Sequence, residues 1–245
     1  MSGLICFLGP SLEARRARAV ARCEVRPPAA QGDVWRALDS RPRAIAIIGG
    51  VFAQQPPVWH HELRSALDAG VAVFGAASMG ALRAVELEPF GMVGVGEVFR
   101  RYRSGAWNDD ADVALLHASA EHAHRPLTVP LVVVRDVAEQ CPALRPAQRK
   151  ALVSAAAGQH YTERTWASLA AALPRLEWTA VHAWRREQGD DLKTRDALEF
   201  LRTAAAFVAS GAPAALPGIT PLSSLARQER TGGSGDDDAT RQVLL

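Results

Sequence analysis

Three short apolar runs, each stopped by glycine and followed by residues at helical spacing, constrain this chain more than any other feature. They are Leu4 to Leu8 before Gly9-Pro10, Ala44 to Ile48 before Gly49-Gly50, and Val71 to Phe74 before Gly75. Each has the length of a strand. None alternates apolar with polar residues, so both faces of each must be covered. Ser11-Leu12-Glu13 opens an arginine-rich helix through about Cys23, with Ser11 placed as its N-cap. A short helix spans Asp33 to Asp39. Pro56-Pro57 precedes another, which carries Trp59, Leu63, Ala66 and Leu67 on one stripe and ends at Gly70. A fourth helix runs from about Met79 to Leu87. Strands and helices in alternation predict an α/β fold, an open and mostly parallel Rossmann-like sheet with helices on both faces.

Beyond residue 88 the pattern weakens. Val93 to Arg103 fits either element, and Asn108-Asp109-Asp110 reads as a turn or cap before a helix to His117. Leu131 to Val134 reads as one more strand. From Pro146 the spacing is helical, over about 146–157, 163–172, 174–188 and 192–209, which predicts a C-terminal helical region. The expected division is an α/β core over 1–140, helices over 141–228, and a flexible tail over 229–245.

A net charge of +2 argues against a dedicated nucleic-acid binder, which concentrates basic residues. No uncharged apolar stretch reaches the roughly 18 residues a membrane span needs. Cys6, Cys23 and Cys141 are scattered and odd in number, and no basic segment precedes the first strand, so a cytoplasmic location is expected. His117, His122 and His124 have no cysteines at zinc spacing. The glycine pairs match neither a dinucleotide fingerprint nor a phosphate loop. The reading therefore names no metal and no cofactor.

In an open parallel sheet, ligands bind beyond the carboxyl ends of the strands. The turns there offer Gly9, Ser11, Gly50, Phe52, Gly75, Met79 and Gly80 as substrate-binding candidates, with bare glycine backbone open to an extended ligand. Ala76-Ala77-Ser78-Met79-Gly80 resembles a nucleophile elbow with alanine in place of its first glycine. Ser78 is then either a nucleophile before a helix whose N–H groups face an oxyanion, or simply the helix cap. His60, in the first turn of its helix, is either a neutral general base or a surface histidine. Glu62 either orients it or complements the helix dipole. Arg83 faces an anionic ligand or pairs with Glu86. Asp109, Asp110 and Asp112 suit turn and cap roles better than catalysis.

Together these residues resemble the TfuA-like family. The likeness is carried by Phe7 to Leu12, Val58-Trp59-His60 with Glu62-Leu63, and Val73 to Leu87. It continues in Phe90-Gly91-Met92, Gly94-Val95-Gly96, Tyr102 with Gly105, and Asp112-Val113-Ala114 with His117, and more weakly in Lys193 with Asp196-Ala197. Gly49 and Ala111 stand where acidic residues are expected. The resemblance implies a partner of YcaO enzymes in peptide-backbone thioamidation within ribosomal peptide biosynthesis. Its implied task is hydrolysis of the C-terminal thiocarboxylate of a small ThiS-like sulfur carrier, with the precursor peptide a further candidate partner. On that reading Ser78 attacks, His60 takes its proton, and Glu62 or an aspartate orients His60. A non-catalytic adaptor that docks a sulfur source onto YcaO is the alternative.

Overall fold

The structure, a computed structural model, describes residues 3–50 and 56–213. Phe52 and the expected tail lie outside the described residues. Five strands, β1 (Leu4–Phe7), β2 (Glu24–Arg26), β3 (Ala44–Ile47), β4 (Ala72–Ala76) and β5 (Val93–Val95), form one parallel sheet in the order β2-β1-β3-β4-β5. The strand side chains divide as pleating requires. Ile5, Phe7, Ile45, Ile47 and Val73 face one core, and Leu4, Cys6, Ala44, Ala46, Ala72 and Phe74 face the other.

The first core is covered by α2 (Asp33–Leu38), α3 (His60–Asp68) and α4 (Met79–Leu87), with α5 (Glu97–Arg103) beside them. The second is covered by α1 (Ala14–Val20) and α10 (Leu192–Ser210), the latter through Ala197, Phe200, Leu201 and Ala204. The α/β prediction with helices on both faces and a C-terminal helical region therefore holds. Helices α6 (Leu131–Gln140), α7 (Pro146–Ala157), α8 (Trp166–Ala172) and α9 (Trp178–Gln188) enclose a third core around Leu152, Leu169 and Val181.

Several local expectations are corrected. Leu131 to Val134 is the first turn of α6, not a strand. Leu131, Val134 and Val137 face the helical core while Val132 and Val133 face the sheet-side core, so a helix buried on two sides mimics a strand's apolar run. The helix expected up to His117 shrinks to one 3-10 turn, Asp110–Val113, capped by Asp109. β2 was not anticipated because it is a three-residue edge strand with polar ends, and an edge needs no apolar face. The ambiguous Val93 to Arg103 segment contains both β5 and α5.

Two glycines set the distance between α4 and the sheet. A Cβ on Gly80 would overlap the Ile47 carbonyl oxygen, and one on Gly75 would overlap the Gly80 carbonyl oxygen. These obstacles are backbone and cannot rotate away. Gly80→Ala is expected to lower stability by about 1–3 kcal/mol, read as a melting temperature lower by roughly 2–10 °C.

Candidate functional site

Parallel strands bring every β-to-α turn to one edge. β1, β3 and β4 are neighbours, so Gly9-Pro10-Ser11, Gly49-Gly50 and Ala76-Ala77-Ser78 lie side by side there. The order 2-1-3-4-5 reverses between β1 and β3, the kind of switch point where open α/β sheets form a crevice. The glycines at that point are occupied by packing. A Cβ on Gly49 would lie 2.6 Å from the Gly9 amide nitrogen, and one on Gly50 would lie 2.8 Å from Met79 Cγ. Gly9, Gly49, Gly75 and Gly80 thus serve close backbone approach, and Gly50 makes room for the Met79 side chain.

After β4 the chain turns sharply. Ala77 takes φ = 63°, and the Ser78 amide reaches back to the Ala76 carbonyl at 2.6 Å. A left-handed alanine stores strain that glycine would not, as strained turns do at functional sites. The turn places Ser78 in the N-cap position of α4, yet its hydroxyl makes no capping bond. The simple cap reading therefore fails. The Lys193 ammonium nitrogen lies 3.0 Å from Ser78 Oγ and 2.8 Å from the Val113 carbonyl oxygen.

Lys193 reaches this site from the second residue of α10. That helix runs back along the sheet, so its other end, at Val208, packs beside Gly3 at the opposite edge. Lys193 is 2% exposed, and burial pushes its pKa down to about 8, against a small upward pull from Asp191. With a pKa of about 8, roughly a tenth is unprotonated amine at pH 7, far more than for an exposed lysine. Nζ donates to both Ser78 Oγ and the Val113 carbonyl; once unprotonated, it has a lone pair free to accept the Ser78 hydroxyl proton while one Nζ–H stays on Val113. The first N–H groups of α4 have no partner inside their helix and lie next to Ser78 in the chain.

His60 is engaged elsewhere. Its Nε2 lies 2.7 Å from Glu86 Oε2, and its side chain is 48% exposed. Arg83 donates to the same Glu86 oxygen at 2.6 Å and to the Val58 carbonyl at 3.2 Å, so the Glu86 pairing expected as one of two options is formed. Glu62 is completely buried and does not orient His60. Its carboxylate accepts the amides of Gly32, Val34 and Trp59 at 2.7–3.1 Å, which ties the start of α2 to the start of α3. The expected Ser78–His60–Glu62 chain is thus not the arrangement present; a lysine holds the serine.

Lys193 was visible only as part of a weak likeness. A sharper signal existed. Leu192, Lys193, Asp196, Ala197, Phe200, Leu201 and Ala204 form the buried stripe of α10, and two charged residues on such a stripe ask for a reason. Asp196 has one: it accepts the Glu97 and Val98 amides at 2.9 and 2.8 Å and caps α5. Burial still raises its pKa to about 6. Asp112, also buried, pairs with Arg135 at 2.8 Å.

A cavity of about 320 Å³ adjoins Lys193, with Ser11, Thr128, Trp166, Arg185 and Asp191 also among its walls. A second, of about 530 Å³, lies by α4 between Met79, Arg83, Tyr102 and Trp107. Among the described residues no cluster of three or more histidine, cysteine or carboxylate groups is arranged to hold a metal, and no helix is long and apolar enough to cross a membrane.

Residues 49–165 match the family model described as TfuA-like protein. The matched stretch contains His60, Glu62, Ser78 and Arg83, whereas Ser11 and Lys193 fall outside it. No curated protein matches the chain.

Proposed function

We propose that this protein is a serine–lysine acyl-transfer enzyme that releases sulfide from the C-terminal thiocarboxylate of a ThiS-like carrier, for YcaO-dependent thioamidation of a ribosomal peptide. The TfuA-like stretch supports a role in the thioamidation system. The observation that carries the enzymatic reading is the 3.0 Å contact between Ser78 and a buried lysine with a lowered pKa.

Ser78 Oγ attacks the thioacid carbon as its proton passes to Lys193 Nζ. The oxyanion develops toward the amides that open α4. The carbon–sulfur bond then breaks, and Lys193 returns the proton so that hydrosulfide leaves. Water activated by the same amine hydrolyses the acyl-serine, giving the carrier carboxylate and regenerating the hydroxyl. Neither a metal nor a redox step is needed.

The test is sulfide release from a thiocarboxylated carrier with YcaO absent. Turnover by this protein alone is expected, and its absence would favour the adaptor reading. The pH dependence has a definite sign. Only unprotonated Lys193 accepts the proton, so kcat/KM rises through an apparent pKa of about 8 and levels off above it. A profile flat from pH 6 to 9 excludes Lys193 as the base.

A further inference from the structure

The cavity of about 320 Å³ has no role in the chemistry above, yet Lys193 belongs to both. Its size, at the small end of ligand pockets, excludes a folded domain or a bulky cofactor. Its wall mixes donors and acceptors. The Arg185 guanidinium stacks on Trp166 at 3.8 Å from the ring centre and lies 3.2 Å from His182 Nδ1, and among the described residues no ion pair with a carboxylate is formed. Asp191 spends one oxygen on the Thr194 amide. Thr128 accepts the Leu116 amide through its hydroxyl oxygen, which leaves that hydroxyl's proton to donate. Ser11 is 5% exposed, and its hydroxyl has no partner among the described residues. A lone anion would meet the Asp191 charge, whereas a peptide backbone offers an N–H and a C=O at every residue and uses both kinds of group.

We propose that this cavity holds the extended C-terminal segment of the protein substrate, backbone against Ser11, Thr128, Arg185 and Asp191, so that its terminal acyl group reaches Ser78 past Lys193. The inference rests on the hydrolase reading for the identity of the peptide, and its test separates the two. Ser11 then becomes a positioning residue whose unpaired hydroxyl is kept for the ligand at the expense of fold stability.

The probe is a synthetic hexapeptide matching the carrier's C-terminus, in its carboxylate form, titrated calorimetrically into the full chain. Ser11→Ala and Arg185→Ala are each expected to weaken binding by about 3- to 10-fold, as loss of one hydrogen bond does. They raise KM for the thiocarboxylated carrier by the same factor and leave kcat within about twofold. Ser11→Ala should melt no lower than wild type, because it removes a hydroxyl with no partner. Leu127→Trp, at a half-exposed wall position where folding is not at risk, narrows the cavity and reduces binding further. Ser78→Ala binds the peptide normally but does not turn over. Peptide binding without wild-type turnover sinks the hydrolase and leaves the cavity assignment standing. Unchanged affinity and KM in all three cavity variants, or a lower melting temperature for Ser11→Ala with KM unaltered, overturns the assignment.

Discussion

Ser78→Ala and Lys193→Met each lower sulfide release from a thiocarboxylated carrier by on the order of a thousandfold, whereas His60→Ala stays within about threefold of wild type. The two large losses come from one step. In the proposed reaction no acyl-enzyme forms without the hydroxyl, and without the amine the hydroxyl keeps its proton. They are therefore strongly non-additive, and the double variant is hardly slower than either single one. Methionine is chosen because it fills the lysine's volume without its charge. The exchange removes a buried charge but leaves the Val113 carbonyl unpaired, so melting temperatures within a few degrees of wild type are expected. His60 serves as the internal control. Its ring contacts Glu86 and Arg83 on an exposed surface, and among the described residues no hydrogen bond joins it to Ser78. A thousandfold loss in His60→Ala with wild-type activity in Lys193→Met would reverse the assignment of the base.

The second large effect is on stability. Glu62→Ala strands the amides of Gly32, Val34 and Trp59, at least one of them deeply buried, and each orphaned donor costs about 1–3 kcal/mol. With partial relaxation and entry of water the expected loss is about 3–5 kcal/mol, measured by urea unfolding as a lower midpoint at similar slope. Glu62→Gln loses less, about 1–2 kcal/mol, because its amide oxygen still accepts while its NH₂ faces donors. The activity of the protein that remains folded should be close to wild type in both variants. A catalytic Glu62 predicts the opposite pattern: stable protein, lost turnover. The hydrogen bonds already distinguish a carboxylate that fastens two helix starts from one that orients an imidazole.

The sheet was legible because its cause is local. Leu4 to Leu8, Ala44 to Ile48 and Val71 to Phe74 are apolar on both faces, and only a buried parallel strand makes that pattern inexpensive. Glycine after each run marked the turn, and α3 and α4 announced themselves by stripe and cap. Elements whose stabilisation comes from distant neighbours were misread. β2 exists because β1 offers an edge to pair with, and α6 is a helix because two cores, one of them built from residues as distant along the chain as Ile5, claim its opposite sides.

The site divides in the same way. From the local strand–turn–helix pattern, the sequence by itself determined that Ser78 stands at a sharp turn at the carboxyl edge of the sheet, before a helix N-terminus. Which group lies against its hydroxyl was a tertiary matter. His60 and Lys193 are 18 and 115 positions from Ser78, and separation along the chain says little about distance once strands and helices stack. Only the return of α10 across the sheet, driven by burial of Ala197, Phe200 and Leu201, carries the amine to the serine. The same burial that brings Lys193 there strips its water and lowers its pKa, so packing sets both the position of the amine and its protonation.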